Sequence, residues 1–196
     1  PTQANIRRAV ARLGVTLSHD QFANRLLIDG REMQDSEVER LYLRIEQCYR
    51  FRAAQDYFWM VVKDAARLNG FHPVRDYLGA LRWDGVPRID TWLLTYGGAT
   101  DSAYARAVGA IVLIAAVRRV RKPGCLFQEM IVLESPQGKN KSTALKTMAV
   151  RNEWFTDDLP LGADSKVVVE KTEGKWIVEA AELSGMRKSQ VETLKA

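Results

Sequence analysis

The stretch from Met130 to Met148 constrains this chain more than any other. An apolar run, Met130-Ile131-Val132-Leu133, leads through Glu134 into Ser135-Pro136-Gln137-Gly138-Lys139-Asn140-Lys141-Ser142-Thr143, and Ala144-Leu145-Lys146-Thr147-Met148 then reads as a helix. A buried strand feeding a tight loop that opens a helix is the setting of a phosphate-binding loop, because the first N–H groups of a helix have no intrahelical partner and point at the anion. In that geometry Lys141 reaches the β- and γ-phosphates and the Ser142 hydroxyl ligates magnesium. The pattern G-x-x-x-x-G-K-[ST] is met only in part: Ser135 stands where the first Gly belongs and Asn140 where the second does. Asn is the non-Gly residue most tolerant of left-handed backbone angles, so Asn140 can preserve the path of the loop, although its side chain crowds an approaching phosphate. Gly138 leaves the middle of the loop free. Taken alone, the segment also reads as a surface turn with two exposed lysines.

A second segment bears on that choice. Trp176-Ile177-Val178-Glu179-Ala180-Ala181-Glu182 is apolar with two carboxylates, and lies far enough after Lys141 for a strand that runs beside the first. Hydrolysis of a nucleotide needs one acid to hold the magnesium water shell and another to polarise the attacking water. Glu179 and Glu182 are the candidates, and the residues do not say which serves the metal. Their plain alternative is one charge at a strand edge and one at a helix start. Asp157 and Asp158 form a lesser acidic pair, read as turn or capping residues.

Other classes are excluded or left open by the rest of the chain. No run approaches the roughly 18 apolar residues of a membrane span, and the start, P-T-Q-A-N-I-R-R, lacks a signal peptide's apolar stretch. A cytosolic protein is therefore expected. Cys48, Cys125, His19 and His72 have no metal-ligand spacing. A net charge of +5 is compatible with nucleotide or nucleic acid as partner without establishing either. Arg118, Arg119, Arg121 and Lys122 read first as a solvated helix end favoured by the helix dipole, and second as a phosphate-facing patch.

Up to about residue 122 the periodicity predicts mainly helices. Ile6, Val10 and Leu13 mark the first, an extended piece follows at about 22–28, and Asp29-Gly30 signals a turn. Asp35 or Ser36 caps a helix with Val38, Leu41, Leu43, Ile45 and Cys48 on its apolar face, and another runs from Gln55 to Leu68. Pro73 and Pro87 suit the starts of short helices over 74–81 and 88–95, and Asp101 or Ser102 caps a long one to about Val120. Trp83, Trp92 and His72 could form a base-stacking surface, but the preferred reading places them in a helical core. From 123 the order becomes strand (126–133), loop, helix (141–150), irregular stretch, strand (175–183). The expected fold is α/β, with a mainly helical region (1–122) followed by the first part of a P-loop NTPase parallel sheet (123–196).

These segments together resemble the virulence-associated protein E family of phages, prophages and pathogenicity islands, which is related to superfamily 3 helicases. The likeness is carried by Phe71-His72-Pro73-Val74-Arg75-Asp76-Tyr77-Leu78, Leu81-Arg82-Trp83-Asp84-Gly85-Val86-Pro87-Arg88-Ile89-Asp90-Thr91-Trp92-Leu93, the loop S-P-Q-G-K-N-K-S-T, Trp154 to Asp158, and Lys175 to Leu183. It spans roughly residues 15 to 196. The resemblance implies an ATP- and magnesium-dependent replication helicase or initiator that works as a ring of identical subunits on DNA, alongside other replication proteins. It makes Lys141 the Walker A lysine, Ser142 the magnesium hydroxyl, and Glu179 with Glu182 the Walker B acids. In relatives the sheet continues and supplies a polar sensor and an arginine finger, whereas this sequence stops at Ala196, as either a fragment or a short protein. Weak nucleotide binding and negligible turnover are therefore expected. The competing expectation is a non-catalytic module that binds DNA or a replication protein and keeps the loop as a relic.

Overall fold

A computed structural model describes residues 2–136, 138–159 and 164–180. The chain divides into two compact units, residues 1–76 and 77–196. It is a mixed α/β protein, rich in helix, with small sheets.

The first unit opens with α1 (Gln3–Arg12), capped by the Thr2 hydroxyl accepting from the Asn5 N–H. Three strands, β1 (Leu17–Asp20), β2 (Arg25–Ile28) and β3 (Arg31–Glu32), precede α2 (Asp35–Tyr49) and α3 (Gln55–Leu68). β4 (Gly70–Phe71) completes a sheet of order β3-β2-β1-β4, with β1 antiparallel to β2 and parallel to β4. Here the expectation of helices with a single extended piece is corrected. The turn of the first hairpin is made by Asp20, whose carboxylate accepts from the N–H groups of Phe22 (2.9 Å) and Ala23 (3.1 Å), and by Asn24 at φ 49°. Asx turns and left-handed Asn do this routinely. The second turn, Asp29-Gly30, has positive φ at both residues (50° and 77°), as the tight hairpin geometry requires.

Both long helices of this unit fall where their periodicity places them, although Gln34 rather than Asp35 or Ser36 is the N-cap of α2. Their apolar faces and that of α1 close one core, in which Ile6, Val38, Ile45, Phe58, Val61 and Val62 are each no more than 2% exposed, whereas Leu43 and Cys48 of α2, expected on that face, are exposed. Phe58 meets Tyr42 edge to face at 5.1 Å, and the Tyr42 hydroxyl donates to the Ala53 carbonyl at 2.8 Å. A buried phenylalanine anchored to a tyrosine whose polar tip is satisfied is a stable way to fill a small core.

The boundary between the units falls within α4 (Pro73–Ala80). In the second unit α5 is only Trp92–Thr95, shorter than the expected 88–95, and α6 runs Ala103–Arg121 with the Ser102 hydroxyl accepting from the Ala105 N–H at 3.1 Å. Trp92 donates to the Gly109 carbonyl at 2.9 Å, tying α5 to α6. Trp83 departs from its expected place in a helical core, because its side chain is 80% exposed. The loop holding it is closed by the Arg88 guanidinium on both oxygens of Asp84 (2.9 and 2.8 Å), and the indole N–H donates to the Val86 carbonyl at 3.3 Å. His72, in the first unit, lies against Phe22 with ring centroids 5.3 Å apart.

The apolar run 126–133 is not a strand. Leu126, Met130 and Val132 are 75%, 42% and 53% exposed. Strand propensity supplies a side-chain preference and no partner, and a ladder exists only where a second backbone comes alongside. Among the described residues of this unit, that pairing is made instead between β5 (Phe155–Thr156) and β6 (Ile177–Val178), which run parallel. A full P-loop sheet is thus not what the described residues display. α7 (Lys141–Met148) precedes β5, and α8 (Ser165–Thr172), capped by Asp164, lies between the two strands in a stretch expected to be irregular.

A candidate phosphate-binding site

The loop between Ser135 and Lys141 is shaped by two residues with positive φ, Gly138 (80°) and Asn140 (55°). Asn140 is the N-cap of α7 in the left-handed conformation, at φ 55° and ψ 31°, and its carbonyl accepts from the Ala144 N–H at 3.0 Å. Asn therefore fills backbone space that the pattern reserves for glycine. Lys141 and Ser142 are the first two residues of the helix, so the two groups expected to meet phosphate and metal start from its N-terminal turn.

Lys141 folds back over the loop. Its ammonium donates to the Ser135 carbonyl (3.0 Å), the Ser135 hydroxyl (2.9 Å) and the Pro136 carbonyl (3.3 Å). Ser142 reaches across to the small sheet, where its hydroxyl meets Oε1 of Glu179 at 2.6 Å. Glu179 immediately follows β6, and its N–H donates to the Thr156 carbonyl at 2.8 Å, so the ladder with β5 fixes where its side chain begins. α7 packs on both strands. The other carboxylate oxygen, Glu179 Oε2, is buried and has no hydrogen-bond partner among the described residues. A buried carboxylate oxygen left bare is costly and marks a place where a cation or donor fits. Hydroxyl and carboxylate together are the hard oxygen donors that magnesium takes.

The opposite end of the strands is held by aromatics. Tyr77, Trp154 and Trp176 form a mutual edge-to-face triad with centroids 6.0 to 6.3 Å apart, and Trp176 donates to the Ala116 carbonyl of α6 at 3.0 Å. Trp154 and Trp176 each directly precede a strand, and their packing sets the β5–β6 register that delivers Glu179. The sequence pairs the Glu179 strand with 126–133, and reads Asp157 and Asp158 as turn or capping residues in an irregular stretch. The signal for β5 was only Phe155-Thr156, too short to register as a strand.

Of the expected residues, Ser135, Lys141, Ser142 and Glu179 are brought together by direct contacts. Pro136 contributes its carbonyl, while Lys139 and Thr143 are exposed. Gln137 and Glu182 lie outside the described residues. Asp158 is held by Lys171 of α8 and by a bridge to Ala180, in keeping with a structural role. The basic cluster sits in the last turn of α6, where Arg119 donates to the Cys125 carbonyl at 3.4 Å. No group of three metal-ligating side chains occurs among the described residues, and no described helix is long and apolar enough to cross a membrane.

No curated protein matches the chain. A family model, the virulence-associated protein E-like domain, matches residues 78–196, which takes in the Trp83 loop, the whole 135–143 loop and both short strands, and starts later than the likeness read from about residue 15. Because that match covers more than half of the sequence and contains every residue of the candidate site, the chain belongs to the virulence-associated protein E-like family.

Proposed function

We infer that residues 135–143 together with Glu179 bind a magnesium nucleotide, and that the protein serves replication of a mobile genetic element. One observation carries the site: the Ser142 hydroxyl on the Glu179 carboxylate at 2.6 Å, beside a carboxylate oxygen that is buried and bare. A surface turn with two exposed lysines gives no reason for its helix to aim a hydroxyl at an acid following a neighbouring strand. In this reading the N-terminal N–H groups of α7 face the phosphates, Lys141 stabilises charge on the γ-phosphate, and Ser142 and Glu179 hold the metal, Glu179 through its water shell. Magnesium, when bound, neutralises charge on the β- and γ-oxygens. Glu182 is kept as the acid that orients water.

Membership of the family supports a replication-associated role, and the positive net charge of +5 suits a nucleic-acid partner. DNA is accordingly the proposed macromolecular partner, through contacts that weaken steeply with salt. Helicase action, other replication proteins and a ring assembly remain part of the same proposal. The test is the melting temperature of the protein with and without Mg-ATP, in the native sequence and in Lys141→Ala. A rise in the first and none in the second is expected. No rise in either would leave the non-catalytic module as the better description.

A further inference from the structure

We propose that Ser135, which stands in place of the loop's first glycine, is an affinity-setting clamp that holds Lys141 away from phosphate while the site is empty. The proposal deepens the nucleotide-site reading and rests on it. An ammonium has three N–H donors and no acceptor. All three have an acceptor within the loop's own first two residues: the Ser135 carbonyl at 3.0 Å, the Ser135 hydroxyl at 2.9 Å and the Pro136 carbonyl at 3.3 Å. Two of these are backbone carbonyls that any residue would offer. The shortest belongs to the serine side chain, which glycine lacks.

The hydroxyl is oriented for this work. It donates its only proton to the Pro136 carbonyl at 3.3 Å, so its lone pairs are left to face Lys141. Ser135 is thus an acceptor toward the ammonium, as a phosphate oxygen is, and the two compete for one donor. Hydrogen bonds to charged groups are stronger than neutral ones, and one retained in the empty state weakens ligand binding by the free energy needed to break it. Because the contact is exposed, a change of roughly fivefold in nucleotide affinity is the expected scale.

The experiment compares the native protein with Ser135→Ala, Ser135→Gly and Ser135→Thr in two measurements. The first is the rate at which Lys141 is acetylated by a trace of reagent in the ligand-free protein, read by mass spectrometry. The second is the dissociation constant for Mg-ATP. Ser135→Ala and Ser135→Gly should label Lys141 several-fold faster and bind Mg-ATP roughly fivefold tighter, whereas Ser135→Thr, which keeps a hydroxyl, should behave as the native protein in both. Unchanged labelling in Ser135→Ala overturns the clamp whatever the nucleotide measurement gives. An effect in Ser135→Gly alone also overturns it, since backbone freedom and not the hydroxyl would then be responsible. Faster labelling in Ser135→Ala with no Mg-ATP binding in any variant would uphold the Ser135–Lys141 contact alone, and overturn both the nucleotide reading and the affinity-setting role.

Discussion

Replacing Glu179 by Gln should move stability in opposite directions with and without ligand. In the structure Oε1 meets the Ser142 hydroxyl, while Oε2 is buried and has no partner among the described residues. Leaving a buried acceptor of a charged group unpaired costs about 1–3 kcal/mol, and the isosteric amide keeps the Ser142 contact while placing a neutral group there. A gain of about 1 kcal/mol is expected. Unfolding entropy is about 2.1 cal/mol/K per residue, so a unit of about 120 residues should melt roughly 4 °C higher. With Mg-ATP the sign reverses. Binding at a hundredfold excess over the dissociation constant adds about 2.7 kcal/mol, or roughly 10 °C for the second unit, and an amide that cannot carry the metal's charge should forfeit most of it. Scanning calorimetry with and without Mg-ATP makes both measurements on one sample, and can separate the transitions of the two units. Should Glu179→Gln melt lower than the native protein without ligand, yet keep the full Mg-ATP increment, the carboxylate would be a structural fixture and the proposed metal role would be wrong.

Three further outcomes are expected. Phe58→Ala, at a site 1% exposed and edge-on to Tyr42, should destabilise the first unit by about 3–5 kcal/mol in denaturant unfolding; a loss under about 1 kcal/mol would mean the core repacks freely. Val150, just past the end of α7, has φ 69° on a β-branched residue that is 47% exposed, so Val150→Gly should raise stability by about 1 kcal/mol, and a fall would show that the lost methyl packing outweighs the relieved strain. The Arg88 guanidinium, followed by the Val86 N–H, holds the Asp84 carboxyl down to about 2. Its folded value lies below the unfolded one, so the latch is at full strength above the ordinary carboxylate range and is lost as pH falls through about 2. An NMR titration of the Asp84 side chain with a midpoint near 4 would show the latch open in solution.

Much of the candidate site was legible because its signals are local. The order of residues in 135–143, a lysine and a serine opening a helix, and an Asn able to take a left-handed angle are properties of neighbours in the chain, and the structure carries all of them. The long helices Gln55–Leu68 and Ala103–Arg121 were likewise readable, since a 3.6-residue period and a capping serine act within a few turns. The hairpin at Leu17–Ile28 was only half visible, because each strand has four residues and its turn depends on side-chain hydrogen bonds from Asp20.

What tertiary structure alone decided is pairing. Local composition makes 126–133 look like a strand and leaves 155–156 in an irregular stretch, yet the latter has a neighbour and the former has none among the described residues. Which backbone Ile177–Val178 lies beside depends on the packing of Tyr77, Trp154 and Trp176, residues far apart in the chain. Sequence by itself determined that a lysine, a hydroxyl and a carboxylate were available. Only the fold brought Ser142 to Glu179 and turned Lys141 back on Ser135, because contacts across tens of residues depend on how the intervening elements pack, which a local pattern does not encode.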